Sequence, residues 1–517
     1  MKSALVLLSL SFACAAQRAG TLRPTASPWE RYQATQQSRL EPLLIELIRF
    51  PTVAGNTQAR DDEQAFLRRT AASLGLIARE AGKVTEIELP GPAGAPVLGL
   101  VVHGDVQPVD EKAWTLPPFA GLVKDGYLIG RGAADDKGPL IQALLAMSAL
   151  RESGLELTHT IRLLVGSDEE SGSSDMKEYL TTHEPPSYSL VLDSEFPVVV
   201  GEKAWNALTV TALRTAPERP NPLPYLIATL EAGLAPSIVP DRARLVLRWE
   251  NGAPAWGPLI ERLRARKLDS GTRLELHDDG AQLELLVHGR SAHAGVNLAG
   301  GRNALVSLAR LTHGELPPSG PADLIAFAET AGQDTAGGGL QLAQHPLVAF
   351  SSWGGYAVNV ATISTKTGLA PTQDGNLTLA INLRRPPPLT GPQLRVHLEK
   401  VVADFNARTG AQLIAGGFYD DEPLLFNPNA KIVRRLMADY RRATGRRDPP
   451  AISGGGTYAK RLPRAIAFGM WFPGHPYPGH DVDEKVPVVD LHAGVKVLLE
   501  ALQDLATGAP LTDAFAP

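Results

Sequence analysis

Residues 97–105 read Val97-Leu98-Gly99-Leu100-Val101-Val102-His103-Gly104-Asp105, and this stretch decides the fold. The run from Val97 to Val102 has no charge and no polar side chain. A continuous apolar run of this length suits a strand buried on both faces, as in a parallel sheet covered by helices. His103 and Asp105 follow it at once. Open α/β sheets collect their working side chains just beyond the C-terminal ends of such strands. Imidazole is the commonest metal ligand, and a carboxylate two residues on can hold its second ring nitrogen. Taken alone, the stretch also fits a surface histidine at a strand end.

The same pattern continues on either side. Ile161–Val165 and Leu190–Leu192 read as short strands. Leu140–Leu150 reads as a helix opened by Gly138-Pro139. Upstream, Leu40, Leu43, Leu44, Leu47 and Ile48 recur at helical spacing, and Pro51 closes the segment. Strands alternating with helices predict an α/β sheet.

Each strand is followed by groups that bind cations. Asp168-Glu169-Glu170 comes after the second and Asp193 after the third. Asp135 and Asp136 sit in Gly130–Gly138, between the strand-like Tyr127–Ile129 and a helix. His480 lies in the loop Pro478-Gly479-His480-Asp481-Val482-Asp483-Glu484. Singly, these read as a helix-capping turn, a solvated acidic loop and a loop histidine. Together, His103, Asp135, Glu170, Asp193 and His480 form a cysteine-free set of oxygen and nitrogen donors. Such a set suits a zinc-type dinuclear site with one shared carboxylate.

Near residue 205 the texture changes. Thr211–Pro224 is rich in Pro and Arg. Arg242–Arg248, Arg273–His277, Gln282–Val287 and Leu377–Leu383 then read as strands, several with polar alternation, and Gln393–Ala407 as a helix. The helix–strand alternation resumes near Gly417 and ends in a helix over Asp490–Leu505. The expected organisation is a leader at 1–16, a linker at 17–29, a first catalytic part at 30–204, an inserted α+β domain at 205–416 and a second catalytic part at 417–517.

Composition removes other classes. The chain has 517 residues, 44% apolar and 20% charged, with a net charge of −5. That is ordinary globular usage, and there is no basic footprint of the kind nucleic-acid binding needs. The single cysteine, Cys14, cannot form an internal disulfide or a multi-cysteine zinc site. Lys2, the apolar or small residues from Ala4 to Ala16, and Ala13-Cys14-Ala15 read as an export signal, too short to span a bilayer. Ala13-Cys14 also fits a lipidation signal, with simple cleavage preferred. The expected location is therefore periplasmic or extracellular, with lipid anchoring at Cys14 as the variant.

These motifs, in this order and spacing, resemble the M20 family of metallopeptidases, in particular its dipeptidase branch with a large lid. The resemblance is carried by Val102-His103-Gly104-Asp105-Val106, Asp135-Asp136-Lys137-Gly138, Asp168-Glu169-Glu170-Ser171-Gly172, Asp193, Gly289-Arg290-Ser291-Ala292-His293-Ala294 and Gly454-Gly455-Gly456-Thr457-Tyr458. It implies a zinc-peptidase-like catalytic domain with a mixed sheet, interrupted by an α+β lid. It also implies two zinc ions per chain, with manganese or cobalt as alternatives. Asp135 would bridge them. His103 and Asp193 would complete one site, and Glu170 and His480 the other. Asp105 would orient His103. Glu169 would be the general base for the water between the metals. His293, on the lid, would bind the oxyanion. Arg384 would grip the substrate carboxylate, with Arg385 beside it as the off-by-one alternative, and Gly455 and Gly456 would offer N–H groups nearby.

The implied activity is hydrolysis of dipeptides or short peptides with a free C-terminus. The alternative is an N-acyl-amino-acid deacylase or carboxypeptidase of the same family. A serine hydrolase is disfavoured by the lack of a G-x-S-x-G elbow. A catalytically dead relative is disfavoured because all five ligands and Glu169 are present. The size of the insert implies a site completed within one chain, so a monomer is expected. Two departures stand out. The end motif carries Asp483-Glu484 where relatives have Asn-Glu, and Ser237 stands where dipeptidase relatives often carry Asn.

Overall fold

In the computed structural model, residues 26–214, 219–250, 252–342, 355–367, 370–371, 375–511 and 513–517 are described. The expected leader at 1–16, with Cys14, and residues 17–25 of the expected linker lie outside them.

The apolar run at 97 forms the strand Val97–His103, inside a six-stranded sheet. The sheet order is Ile77–Ala81, Val84–Leu89, Thr160–Gly166, Val97–His103, Tyr188–Val191, Ala465–Ala467. The last four strands are parallel and the first two join antiparallel, so the sheet is mixed. Alternate side chains feed two apolar layers. Leu100, Val102, Leu163, Val165 and Leu190 enter one, while Val101, Leu164 and Val191 enter the other. The first layer is filled by the helix Lys137–Ser153, buried at every position from Lys137 to Leu150. That explains why this helix has almost no polar face: the helices Leu40–Ile48 and Val488–Thr507 pack against it in turn. It stops at Gly154, which takes a left-handed φ of 72° that disfavours any side chain. The opposite layer is closed by Met176, Tyr179 and Tyr458.

A second sheet has eight strands, all antiparallel, in the order Arg273–Asp278, Gln282–His288, Arg242–Trp249, Tyr225–Ala232, Ala357–Ser364, Leu377–Arg385, Ala204–Ala212, Leu413–Asp421. In Ala204–Ala212 buried and half-buried residues alternate without a break, as expected of a strand with one covered face. Helices Gly257–Ala265, Ala304–Leu311, Gly320–Ala331 and Gly391–Thr409 supply the cover, with Leu305, Leu324, Phe327 and Leu398 in the shared core. Helix Gly391–Thr409 begins with a capping box between Thr390 and Gln393, two residues before the expected start. The chain enters this sheet at Ala204 and leaves it at Asp421. Among the described residues no helix is long and apolar enough to cross a membrane.

Candidate metal centre and active site

Strands Thr160–Gly166, Val97–His103 and Tyr188–Val191 are neighbours in the sheet and run the same way. His103 is level with Gly166, and Val101 is level with both Leu164 and Val191. The loops that leave these strands therefore start a few ångströms apart, because adjacent strands lie about 4.8 Å from each other. His103, Glu169, Glu170 and Asp193 converge for that reason.

The fourth donor comes from the turn before helix Lys137–Ser153. Glu484 shapes that turn. Its carboxylate accepts N–H groups of Gly132 (3.1 Å), Ala134 (2.8 Å) and Asp135 (3.1 Å) and the Arg131 guanidinium (2.7 Å). His480 supplies the fifth donor from a left-handed position, φ 66°. Its Nδ1 faces the carbonyl of Ser237 at 3.3 Å.

Asp135 lies between the two imidazoles. Its Oδ1 is 3.0 Å from His103 Nε2 and its Oδ2 is 3.3 Å from His480 Nε2. Asp193 Oδ2 is 3.8 Å from His103 Nε2, and Glu170 Oε2 is 3.2 Å from His480 Nε2. Two donor groups result, His103–Asp135–Asp193 and Asp135–Glu170–His480, each with ligand atoms within 4.8 Å of one another. All five side chains are almost wholly buried.

The charges call for cations. Burial, helped by neighbouring carboxylates, raises Asp193 to about 6 and lifts Glu169 well above the usual carboxylate range. Burial opposes protonation of His480, yet Glu170 and Asp135 overcome it and raise the imidazole to about 10. His103 is raised against its own burial by hydrogen bonds to Asp135 and Asp193. Carboxylates packed this closely without solvent are costly unless positive charge compensates them. The donor types, oxygen and imidazole without sulfur, fit zinc, manganese or cobalt.

Asp105 acts differently from the expectation. His103 Nδ1 bonds its main-chain carbonyl at 2.9 Å, while the nearer carboxylate oxygen is 3.6 Å away. The carboxylate accepts the N–H groups of Glu169 and Glu170, each at 3.1 Å. Asp105 thus fixes His103 by its backbone and the acidic loop by its side chain. Asp136 does not cap the helix that follows it; its carboxylate accepts the N–H of His103 at 3.1 Å.

A cleft of about 330 Å³ opens on this cluster, lined by Glu169, Asp193, His293 and the loop 452–457 among others. His293 packs on His480 with ring centroids 4.3 Å apart and planes tilted by 34°. Its Nδ1 accepts N–H groups of Gly295 (2.9 Å) and Val296 (3.0 Å). An imidazole that accepts at Nδ1 carries its proton on Nε2 when neutral. Burial, followed by the charges on His480 and Arg384, holds its pKa well below the usual range, so it remains neutral.

Arg384 and Arg385 are neighbours with different duties. Arg385 is buried among Asn206, Asp420 and Glu422. Arg384 stands over the Trp205 ring, 5.7 Å from its centroid, and its buried Nε has no hydrogen-bond partner among the described residues. It lines the end of the cleft that also holds Glu169, His293 and Gly456. Burial lowers its pKa to about 10, which still leaves it charged at neutral pH. Gly455 and Gly456 both line the cleft. The N–H of Gly455 is spent on Ser453 Oγ at 3.0 Å.

Some contributors escaped the sequence reading. Gln107 joins Glu170 (2.8 Å) to Ser237 (2.9 Å) through its amide nitrogen, tying the catalytic part to the insert. Gly295 sits where a Cβ would lie 2.6 Å from the Gly454 carbonyl oxygen and 3.0 Å from Arg384 Nε. Its place just after Ser291-Ala292-His293 was the available signal. The two departures have partners here. Ser237 offers its carbonyl to His480, and Asp483, at φ 57°, accepts the N–H and hydroxyl of Thr115, each at 2.9 Å.

The sequence profile of peptidase family M20/M25/M40 matches residues 99–504. YtjP of Bacillus subtilis (strain 168), named as a dipeptidase, is 28% identical over 416 residues, covering 80% of this chain and 84% of its own. A Staphylococcus epidermidis protein (strain ATCC 12228 / FDA PCI 1200), also named as a dipeptidase, is 28% identical over 414 residues, 80% of this chain and 83% of its own. In fold, the chain is similar to human carnosine dipeptidase 1, with a TM-score of 0.56 at 15% identity, covering 92% of this chain and 98% of that one. It is similar too to the dipeptidase Dug1p of Saccharomyces cerevisiae, with a TM-score of 0.57 at 13% identity, covering 92% and 97%.

Proposed function

This chain belongs to peptidase family M20/M25/M40, and from that premise we propose that it is a two-metal dipeptidase acting on dipeptides or short peptides with a free C-terminus. The observation that carries the reading is the pair of donor groups sharing Asp135. His103 and Asp193 would hold one cation, and Glu170 and His480 the other. Bound there, two zinc ions would lower the pKa of water and polarise the scissile carbonyl.

The chain's own residues do the rest. Glu169 takes the proton of the attacking water and hands it to the departing amine, a shuttle typically worth about 10²–10⁴-fold. His293 donates from Nε2 to the oxygen that becomes negative in the transition state. Arg384 pairs with the substrate's C-terminal carboxylate through its fork of N–H groups. Gly456 lines the same end. The insert supplies both His293 and Arg384, which supports a monomer as the working unit.

The test is an assay on dipeptides and their N-acetyl forms, with metal analysis of the same sample. Dipeptides are expected to be cleaved, chelation to abolish cleavage, and zinc, manganese or cobalt to restore it. Undiminished rates in metal-free protein would exclude the reading. Preference for the N-acetyl forms would favour the deacylase alternative. We also propose export, on the strength of Lys2 and the apolar stretch Ala4–Ala16. Mass spectrometry of the mature N-terminus separates cleavage from lipidation at Cys14.

A further inference from the structure

We propose that Glu195 is the residue that selects substrates with a free N-terminal amine, pairing its carboxylate with the α-ammonium of a dipeptide whose other end is held by Arg384. The inference rests on the peptidase reading above and names the feature of the substrate that the site demands.

Glu195 lies two residues beyond Asp193, on the short strand Ser194–Glu195 that pairs with Met470–Trp471. It is half-buried and lines the cleft that contains Glu169, Asp193 and His293. Asp105, Glu170 and Glu484, the neighbouring acids of the site, all accept hydrogen bonds from the protein. The Glu195 carboxylate has no hydrogen bond or ion pair to any described residue. The one lysine or arginine among the described residues along this part of the cleft, Lys203, gives its ammonium to the Gly355 carbonyl at 2.9 Å. Glu195 is therefore a carboxylate lining a ligand space with no described residue to balance it.

At the far end the situation is reversed. Among the described residues, Arg384 is a buried cation with no carboxylate in salt-bridge contact and with its Nε unpartnered. Glu169, His293, Gly456 and His480 line both ends, so the space is continuous. The cleft thus carries an unbalanced negative group at one end, an unbalanced positive group at the other, and the metal-ligand cluster between them. A dipeptide zwitterion has the complementary polarity, and two residues span about 7 Å. An N-acyl amino acid answers only Arg384. It would leave Glu195 desolvated against a neutral group, an arrangement that costs binding without return.

The experiment compares wild type, Glu195→Gln and Glu195→Ala on three substrates: alanyl-alanine, propionyl-alanine (the same molecule without the amine) and lysyl-alanine. Metal content of each protein is measured alongside. Both variants are expected to retain two metals and to lose about 10–100-fold in kcat/KM on alanyl-alanine and lysyl-alanine. Cleavage of propionyl-alanine should stay within about twofold of wild type, so the preference for the amine collapses. Equal losses on alanyl-alanine and propionyl-alanine would overturn the assignment, as would no loss on alanyl-alanine. A loss confined to lysyl-alanine would overturn it too, by giving Glu195 to a side-chain ammonium. Wild-type protein that cleaves none of the three would bring down the peptidase reading itself, which sets that failure apart from the others.

Discussion

The carboxylate of Glu484 accepts the backbone N–H of Asp135 at 3.1 Å. The two residues are 349 positions apart, and the bond ties the turn that carries Asp135, common to both donor groups, to the loop that carries His480. Because the same carboxylate also gathers Gly132, Ala134 and Arg131, exchanging one oxygen for an NH₂ group sets donor against donor. Glu484→Gln is expected to weaken metal affinity by about 10–100-fold, with activity recovering at raised metal concentration. Metal titration followed by activity checks this. Unchanged affinity would mean that the turn holds its shape alone.

Glu169 is held by its backbone, through Asp105, and keeps its carboxylate free for the cleft. Glu169→Gln should therefore keep both metals and lose about 10²–10⁴-fold in kcat. Elemental analysis and steady-state kinetics on one preparation decide it. Substantial residual turnover would hand the base role to another group.

For His293, the fixed Nε2–H predicts a contact made in the transition state. His293→Ala should lower kcat by about 10²–10³-fold while KM changes little. A change in KM alone would reassign the residue to ground-state binding.

Gly295 lies against Gly454, Arg384 and His293 at once. Adding one methyl in Gly295→Ala should displace the two functional side chains by a fraction of an ångström to an ångström, reducing kcat/KM by about 10²-fold without loss of metal. Activity within twofold of wild type would show that the contact yields freely.

Much of the fold was legible because burial leaves a plain mark. A strand covered on both faces must be apolar throughout, as Val97–Val102 is, and a helix enclosed on all sides must lose its polar face, as Leu140–Leu150 has. The donors were legible for a related reason. Parallel strands aim their C-terminal ends the same way, so His103, Glu170 and Asp193 fall at predictable places after apolar runs. What stayed hidden depends on distances between remote segments. Nothing local distinguishes Arg384 from Arg385; Asn206, Asp420 and Glu422 capture one and leave the other free. Asp105 carries a second role because its carbonyl, nearer than its carboxylate, meets His103.

The sequence by itself determined which atoms are available: imidazoles and carboxylates without thiols, set after buried strands, which limits the chemistry to hard or borderline cations and water. Only the tertiary structure decided which of them stand close enough to share a cation, which way each ring presents its proton, and which charges are left without a partner. Those properties are set by contacts across hundreds of residues, and hydrogen bonds and Coulomb forces act over a few ångströms whatever the separation along the chain.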